Sequence, residues 1–511
     1  MKIALISIYG VDNLGPRHLH SVLTRSGHDV HLIFLKEAFF DDFCPPSQKE
    51  YKVLIGLLKQ LKPDVIGVSV GAFMFAEIAL RLILEIKSWF PGPVILGGVY
   101  PTLFPERCIH FSDIVCVGAG EEAFLELLDN IESGKAIDHI KNLWVRGKTG
   151  QITKNHIRDI NGVLEYSPYL GDQNKYFIED DRVSYIDPLR VRAFRYHTQV
   201  TCGCPFACSF CSETAFKKLY AGKSTMRKRS VQNIIAELIN AKKELPDISM
   251  IVFSNEIFPS QKEWVRDFAR EYKRHVDLPF WCLFNPICID GQQLGLLKDA
   301  GMAFVNMGVQ SGSERIRKEV FNRPETLRDV IGGVSECWEK GIIPTLDFIV
   351  DNPYEDKQDK ISTLKLIYTL KRPFDVRLFS FVYMPRSVLA DTALSEGRIK
   401  AEEIERAFTL PASSDSILAN ISKKRSREEL VYICLMAIAS KCLLPEKPAI
   451  FLLNYKLSTK FPLFQLLVFF TMFSGWVYFF TRWLKFSQKR SMIKYIKKLP
   501  YYIKYVFTII K

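Results

Sequence analysis

Cysteine is scarce in this chain, which has only twelve cysteines in 511 residues. That density is too low for a secreted fold held together by disulfides. The sequence also lacks a signal-peptide pattern, because Gly10 and Asp12 end the first apolar run too early. We therefore expect a protein of the reducing cytoplasm, where grouped cysteines bind metal more often than they pair.

Three of the twelve cysteines are grouped at C-x3-C-x2-C spacing: Cys204, Cys208 and Cys211. A structural zinc site needs four ligands, so this group is one ligand short for zinc. Three thiolates suit an iron–sulfur cluster whose remaining iron takes a ligand from elsewhere. Cys202 lies two residues earlier. We interpret it as an ordinary residue at the end of a strand, with a spare ligand as the alternative.

Residues 1–130 alternate short apolar runs with helical patterns. This alternation predicts a doubly wound α/β sheet of parallel strands. Ligands of such sheets bind at the carboxyl ends of the strands. The glycine-containing loops there allow a backbone to approach a large flat ligand closely. Four loops qualify: residues 10–16, 69–75, 97–102 and 118–122.

Residues 131–192 show weak periodicity and are interpreted as a connector. Residues 193–395 contain six strand-like runs separated by helical patterns, which predicts a partial parallel (β/α)6 barrel of the TIM type. The predicted strands are 195–201, 249–254, 280–284, 303–309, 344–350 and 376–383. Chemistry in parallel barrels gathers at the carboxyl ends of strands. The grouped cysteines follow the first of these strands, at that end of the barrel.

With an aromatic residue just before its last cysteine, the cysteine motif resembles the signature of the radical S-adenosylmethionine (SAM) enzymes. The resemblance implies a 4Fe-4S cluster on the three cysteines, with SAM bound to the open iron. Later strand ends resemble the same family in their order along the chain. The resemblance implies that SAM is bound by Phe210, Asn255, Glu256, Gln310, Ser311 and Arg323. Two of them depart from the usual motif residues: Asn255 carries no charge, and Gln310 stands where relatives have Glu.

The N-terminal region resembles the cobalamin (B12)-binding domains that precede many radical SAM cores, and the domain order is the same. The resemblance implies that cobalamin is bound by Asn13, Leu14, Gly15, Ser69, Gly71, Gly97, Gly98, Tyr100, Gly118, Gly120 and Glu121. A flavodoxin-like sheet without a ligand is the alternative.

One motif of related cobalamin domains is missing. The sequence contains no D-x-H-x-x-G, whose histidine binds cobalt in the mutases. His18 and His20 are two residues apart, so they face different sides of a helix. We interpret both as ordinary helix residues. The resemblance therefore implies cobalamin bound without a histidine ligand, which favours methyl transfer over mutase chemistry.

The C-terminal region, residues 396–511, is predicted to be helical. Residues 461–481 are 21 uncharged residues, about 30 Å as a helix, which is long enough to span a bilayer. The net charge of +13 is concentrated beyond this run, because residues 482–511 contain nine Lys or Arg and no acid. A basic flank stays on the cytoplasmic side. We expect the run to associate with the inner face of a membrane without crossing it, with packing on the barrel as the alternative.

Together, these features predict a cobalamin-dependent radical SAM enzyme. The resemblance implies that SAM is cleaved reductively to a 5′-deoxyadenosyl radical, and that an unactivated carbon of a small-molecule or lipid substrate is then methylated. An electron donor such as flavodoxin or ferredoxin is expected, and nucleic acid is not. Two alternatives stay open: radical cyclisation or rearrangement with the same cofactors, and a non-catalytic iron–sulfur electron-transfer module.

Overall fold

The structure is a computed structural model. It describes residues 1–454 except 38–44, 161–164, 166, 169, 193, 222–224 and 405–424, together with residue 471. Two separate sheets organise these residues, one of nine strands and one of six. This confirms the α/β class and the two predicted folding units.

The N-terminal sheet has the strand order β7-β6-β5-β4-β3-β1-β2-β8-β9. Its strands are β1 (Lys2–Ile8), β2 (Asp29–Leu35), β3 (Val65–Ser69), β4 (Val94–Gly97), β5 (Ile114–Cys116), β6 (Leu143–Arg146), β7 (Ile152–Lys154), β8 (Lys175–Glu179) and β9 (Arg182–Ser184). Its helices are α1 (Leu14–Arg25), α2 (Gln48–Leu61), α3 (Ala76–Lys87), α4 (Val99–Leu103), α5 (Pro105–Cys108) and α6 (Glu121–Glu132). The five central strands, β5 to β2 in this order, are parallel.

Helices cover both faces of this sheet, as expected for doubly wound folds. Apolar residues of α2 and α3 pack on one face, and those of α1 and α6 pack on the other. Because both faces are covered, the central strands are almost continuously apolar and buried. Because β3, β4 and β5 are parallel, their carboxyl ends lie together at one end of the sheet.

Residues 131–192 differ from the predicted connector. Within them, β6 and β7 extend one edge of the N-terminal sheet as antiparallel strands. At the other edge, β8 pairs parallel with β2, and β9 pairs antiparallel with β8. A buried ion pair fixes β8: Asp187 accepts hydrogen bonds from Arg17 of α1 and from Lys175, each at 2.7–2.8 Å. The strands of this segment thus belong to the N-terminal folding unit.

The second sheet is a six-stranded parallel barrel wall with the strand order β10-β13-β14-β15-β16-β17. Its strands are β10 (Arg195–Thr198), β13 (Met250–Phe253), β14 (Phe280–Phe284), β15 (Met302–Gln310), β16 (Thr345–Val350) and β17 (Asp375–Ser380). The helices of this unit are α7 (Leu189–Arg192), α8 (Ser212–Leu219), α9 (Val231–Glu244), α10 (Lys262–His275), α11 (Gly291–Ala300), α12 (Leu327–Glu339), α13 (Lys357–Thr369) and α14 (Val388–Ser395).

A small antiparallel ribbon stands above the first barrel strand. It is formed by β11 (Thr201–Cys202) and β12 (Arg227–Lys228). The cysteine loop, residues 203–211, connects β11 to α8. The ribbon and α8 therefore hold the two ends of the segment that carries the grouped cysteines.

The described part of the C-terminal region contains two further helices, α15 (Arg427–Ser440) and α16 (Glu446–Asn454). Residues 429–440 of α15 are all buried, and α15 contacts α13 and β17. The predicted apolar run 461–481 lies outside the described residues except for Thr471, which is fully buried beside Cys434 of α15. Within the described residues, none of the helices has the length and apolarity needed to cross a membrane.

Candidate functional site

A cavity of about 390 Å³ lies between the carboxyl edge of the N-terminal sheet and the ribbon of the barrel unit. Both folding units supply its lining residues. Cofactor sites commonly lie between units in this way. The cavity therefore has two walls, one from each unit, which we call the N-terminal wall and the barrel wall.

The N-terminal wall contains six glycines, most of them at the ends of β4 and β5, together with apolar side chains of the sheet and of α1. Gly98 has a φ of +110°, and a Cβ there would lie 2.5 Å from the carbonyl oxygen of Val70, so a side chain would be strained as well as clash. A Cβ at Gly15, in contrast, would meet no atom within 4 Å, and at Gly97 only the Cβ of Cys116 at 3.7 Å. The wall thus leaves open space above bare backbone, which fits a large flat cofactor.

Seven of the eleven residues predicted to bind cobalamin line this cavity: Gly15, Ser69, Gly97, Gly98, Gly118, Gly120 and Glu121. The other four, Asn13, Leu14, Gly71 and Tyr100, are not among the lining residues.

Local structure explains why these four residues do not line the cavity. Helix α1 begins at Leu14, so this residue lies in the helix rather than in the loop after β1. The amide of Asn13 turns back to Ser7 Oγ at 3.3 Å and covers Gly71. Tyr100 lies in α4, only 3% exposed, with its ring packed against Phe73 and Phe104.

The barrel wall is formed by side chains. Glu213, Tyr220, Thr225, Arg227 and Glu256 line it together with Cys202. Of these residues, the sequence had indicated only Glu256 as a site residue and Cys202 as a spare ligand. No local motif marks the others, because they come together only when the ribbon and α8 pack against the N-terminal unit.

Direct contacts join the two walls. The Tyr220 hydroxyl accepts a hydrogen bond from the backbone N–H of Ala119 at 3.1 Å. A Cβ at Gly118 would lie 2.5 Å from that hydroxyl oxygen, so this glycine is required for the close approach. Arg227 lies 3.8 Å from Glu121 and 3.9 Å from the sulfur of Cys202. The ribbon is thereby held against the loop after β5.

Two carboxylates hold the start of the cysteine loop. Glu256 accepts a hydrogen bond from the backbone N–H of Gly203, and Glu213 accepts one from that of Cys204, both at 3.2 Å. Burial, with a smaller contribution from the charge of Glu213, raises the pKa of Glu256 to about 7. The cavity thus contains a carboxyl group that titrates near neutral pH.

The three grouped cysteines are free thiols on one loop. Burial raises the pKa of Cys204 to about 11 and that of Cys211 to about 12, and each is also raised by the charge of Cys208. Arg323 partly offsets burial at Cys208, since its guanidinium lies 3.7 Å from the sulfur. Thiols of this kind bind as thiolates once a metal supplies positive charge and displaces their protons.

In the described part of the chain, no three His, Cys, Asp or Glu side chains converge closely enough for one metal ion. A cluster has a different requirement, because each cysteine binds its own iron and the sulfurs stand farther apart. The donor set of three mutually interacting free thiols on one loop therefore fits an iron–sulfur cluster better than a single ion.

Among the residues predicted to bind SAM, Phe210 lies in the cysteine loop, Arg323 contacts Cys208, and the others end or follow barrel strands. Arg323 donates to the carbonyl of Gly308 and to Glu325, and Phe210 packs against Phe321 with ring centroids 4.7 Å apart. Gln310 ends β15 in a left-handed conformation with a φ of +69°.

Two of these residues are engaged within the protein. The side chain of Asn255 accepts a hydrogen bond from Val200 and donates to Thr201, so it fixes the base of the ribbon. Ser311 is 1% exposed and donates to Glu355 at 2.8 Å. Both residues lie at strand ends, but their polar groups are already hydrogen-bonded: Asn255 to the backbone of the ribbon and Ser311 to Glu355.

The two histidines near the cavity lie on α1. His18 and His20 are 5% and 2% exposed, and burial lowers the pKa of both. Among the described residues that line the cavity, none is a histidine. The structure therefore places both imidazoles in the packing between α1 and its surroundings.

Two protein families match this chain. Residues 2–128 match the B12 binding domain, and residues 198–367 match the radical SAM superfamily. The first match covers the N-terminal wall of the cavity, and the second covers the cysteine loop and most of the barrel.

Among curated proteins, the chain is 22% identical over 352 residues to cytidylyl-2-hydroxyethylphosphonate methyltransferase of Streptomyces wedmorensis, covering 61% of this chain and 64% of that protein. It is 23% identical over 365 residues to the anaerobic magnesium-protoporphyrin IX monomethyl ester cyclase of Rubrivivax gelatinosus, covering 67% and 59%. The matched region thus spans slightly less than two thirds of the length of these relatives.

Among solved structures, the fold resembles the cobalamin-dependent SAM radical enzyme OxsB with aqua-cobalamin bound, with a TM-score of 0.66, 15% identity and coverage of 92% of this chain and 75% of that chain. It also resembles the radical SAM methyltransferase TsrM of Kitasatospora setae, with a TM-score of 0.62, 16% identity and coverage of 77% and 76%. The architecture and domain order agree with the two family matches. The chain therefore belongs to the radical SAM family whose members carry a B12-binding domain before the radical SAM core.

Proposed function

We propose that this protein is a cobalamin-dependent radical SAM enzyme that methylates an unactivated carbon of a small-molecule substrate. The observation that supports this most strongly is the shared cavity. One space is bounded by the glycine loops of the B12-binding domain and by the ribbon that leads into the cysteine loop. A methyl donor and a radical source could reach the same substrate only in such an arrangement.

We propose that the barrel side holds the cluster and SAM and that the N-terminal wall holds cobalamin. Cys204, Cys208 and Cys211 would hold the 4Fe-4S cluster, and Glu256 and Arg323, which contact the cysteine loop, would orient SAM beside it. When bound, the cluster and SAM supply a hydrogen-abstracting radical, and cobalamin supplies the methyl group. The protein contributes position and exclusion of water, so no side chain is proposed as a general base.

The N-terminal wall would hold cobalamin through backbone contacts. Gly97, Gly98 and Gly118 provide bare backbone, and Ser69 and Glu121 provide polar groups at the rim. The lining contains no histidine among the described residues, so we propose that cobalt receives no imidazole from the protein. The spin resonance spectrum of the cob(II)alamin form should then lack nitrogen splitting from a protein ligand, and His18→Ala or His20→Ala should leave that spectrum unchanged.

The proposed function is tested with full-length protein reconstituted anaerobically with iron, sulfide and cobalamin. Incubation with reductant and SAM carrying a deuterated methyl group should yield 5′-deoxyadenosine. With extracts of metabolites as substrate, the label should appear on carbon in a product. A protein that holds the cluster but never cleaves SAM would instead be an electron-transfer module.

Radical cyclisation is the second candidate, because one of the relatives is a cyclase. The same incubation separates the two reactions. A cyclase would form 5′-deoxyadenosine and an oxidised product without the deuterated methyl group, whereas a methyltransferase would transfer that group. Both reactions need an external reductant, and we propose flavodoxin or ferredoxin as the electron donor.

Association of the C-terminus with the inner face of a membrane stays a prediction. Burial of Thr471 beside Cys434 favours the alternative, in which the apolar run packs on the barrel. Sedimentation of the full chain with anionic lipid vesicles distinguishes the two. A membrane-associated chain should sediment with vesicles and lose this property when truncated after Pro448, whereas a packed segment should be required for the stability of the barrel.

A further inference from the structure

The two faces of the barrel wall differ in burial. Along β14 to β17, the helix-facing side chains, such as Cys282, Val305 and Leu378, are at most 1% exposed in the helix-packed core. On β14, β15 and β17, several side chains of the inner face are only half-buried: Trp281, Leu283, Phe304, Arg377 and Phe379. Closed barrels fill this space with packed side chains. Here the half-buried side chains leave part of the inner face uncovered.

One residue from each of four neighbouring strands forms a polar row on that face. Trp281 Nε1 donates to Asn306 Oδ1 at 2.9 Å, and Asn306 Nδ2 donates to Asp347 Oδ1 at 3.5 Å. Arg377 lies 3.9 Å from the same carboxylate oxygen. We call Trp281, Asn306, Asp347 and Arg377 the lumen row. Its contacts show that these side chains share one face and orient one another.

Arg377 is the member of the row that a ligand would meet. Its guanidinium lies 5.0 Å from the centre of the Phe379 ring and 5.9 Å from that of Trp281. Its side chain is 28% exposed, whereas that of Asp347 is 9% exposed and lies behind it. A guanidinium fixed between aromatic rings is pre-organised to bind carboxylate or phosphate with two parallel hydrogen bonds.

We infer that the substrate is a small molecule with a planar or apolar body and an acidic group, and that Arg377 binds the acidic group. Trp281, Phe304 and Phe379 would flank the body, since aromatic side chains of the lumen offer apolar surface there. The acidic group is a carboxylate or a phosphonate, which present similar oxygen acceptors to a guanidinium. This inference rests on the proposed function, because only that function requires a substrate.

The test uses full-length protein loaded with cluster and cobalamin, and four probes followed by ligand-observed NMR titration. Benzoate and phenylphosphonate carry the acidic group, benzamide is neutral and benzylammonium is a cation. We expect both anions to bind more tightly than benzamide, and benzylammonium to bind most weakly. Arg377→Gln should weaken both anions about tenfold, as expected for loss of a charge-assisted contact, and leave benzamide unchanged. The tighter of the two anions identifies the acidic group.

Arg328→Gln is the matched control, because Arg328 is an exposed arginine of α12 outside the barrel. It should leave all four affinities unchanged. If Arg377→Gln lowers the melting temperature, Arg377→Lys replaces it; this variant keeps the charge but loses the planar fork, so an intermediate loss is expected.

Three results would overturn the inference: tighter binding of benzylammonium than of benzoate, anion binding that does not depend on Arg377, or an equal loss for benzamide. Formation of 5′-deoxyadenosine is measured in the same preparation. Absence of 5′-deoxyadenosine together with Arg377-dependent anion binding would reject the proposed function and leave the anion site standing.

Discussion

The two walls of the cavity are built from different parts of their residues. The N-terminal wall presents backbone at Gly97, Gly98 and Gly118, where side chains are absent. The barrel wall presents charged and polar side chains, among them Arg227 and Glu256. Both walls border the same cavity. The glycines of the N-terminal wall leave space for a ligand, whereas the barrel wall offers charged and polar side chains to it.

This difference implies two kinds of sensitivity. The glycine backbone of the N-terminal wall recognises the shape of a ligand. Cobalamin affinity should therefore fall when a side chain is added there, whatever the charge of that side chain. The side chains of the barrel wall hold the cysteine loop and the contact between the two units. Cofactor binding should therefore weaken when these side chains are truncated, and stability should change when one of them gains or loses a proton. Added side chains on the N-terminal wall and truncated side chains on the barrel wall can therefore test whether cobalamin binds the former and the cluster lies behind the latter.

The largest effect is expected behind the barrel wall, at the cysteine loop. Cys208→Ala should abolish cluster binding and SAM cleavage, because two thiolates and an open iron cannot retain a four-iron cluster. Iron and sulfide contents and spin resonance after anaerobic reconstitution measure this. Cys202→Ala is the matched control and should keep the cluster, since Cys202 pairs with Arg227 in the ribbon. A Cys208→Ala protein with a full cluster would contradict the assignment, and cluster loss in Cys202→Ala would support the spare-ligand alternative.

The next effect concerns added atoms on the N-terminal wall. Gly15→Leu places a side chain in open cavity, where a Cβ meets nothing within 4 Å, so the fold should tolerate it. Cobalamin affinity should fall about 10- to 100-fold, equivalent to the 1–3 kcal/mol that overpacking usually costs. Equilibrium dialysis with hydroxocobalamin measures the affinity.

Gly56→Leu provides the control for this substitution. Gly56 also has no atom within 4 Å of an added Cβ, but it is exposed on α2, away from the cavity. Cobalamin should bind this variant normally. Equal affinities of the Gly15 and Gly56 variants would place cobalamin elsewhere.

A smaller effect is expected at the seam between the walls. Tyr220→Phe removes the hydroxyl that accepts the hydrogen bond of Ala119, which loosens the loop carrying Gly118 and Gly120. Loss of one such bond is worth about 1 kcal/mol, so cobalamin should bind about fivefold more weakly. Tyr185→Phe, at a tyrosine that is 63% exposed, should have no effect. Unchanged affinity in Tyr220→Phe would show that the barrel unit does not help to form the cobalamin site.

Sequence reasoning succeeded where the chemistry is local. The glycine loops and the cysteine spacing are written in consecutive residues, and the long apolar strands of both sheets are periodic. These features placed Gly97, Gly118 and the grouped cysteines at strand ends correctly. A wall of this kind can be predicted from sequence, because glycines at strand ends mark places where the backbone turns tightly or is approached closely.

The remainder depends on contacts between distant segments. Strands β6 to β9 have only three to five residues each and join the sheet edges, and β7 is partly exposed, so their pattern is weak. Tyr220 and Arg227 acquire a role only because the ribbon meets the loop after β5. Asn255 matched a motif position, but its amide is engaged by Thr201. A side-chain wall is thus hard to predict, since its residues become neighbours only after the domains pack.

The smallest expected effect sharpens the comparison through a proton on the barrel wall. Burial raises the pKa of Glu256 from 4.5 to about 7, so the folded protein retains this proton where the unfolded chain has lost it. The unfolding free energy of the cofactor-free protein should therefore fall as pH rises from about 4.5 to about 7. The side chain is still exposed to the cavity, so the change should be about 1 kcal/mol, less than the pKa shift alone would give.

Glu256→Gln, whose amide oxygen can still accept the hydrogen bond of Gly203, should flatten this dependence in urea unfolding at pH 5 and pH 8. Glu263→Gln, at an exposed position of α10, should leave it as it is, and an unchanged slope in Glu256→Gln would mean that another group on the barrel wall binds the proton.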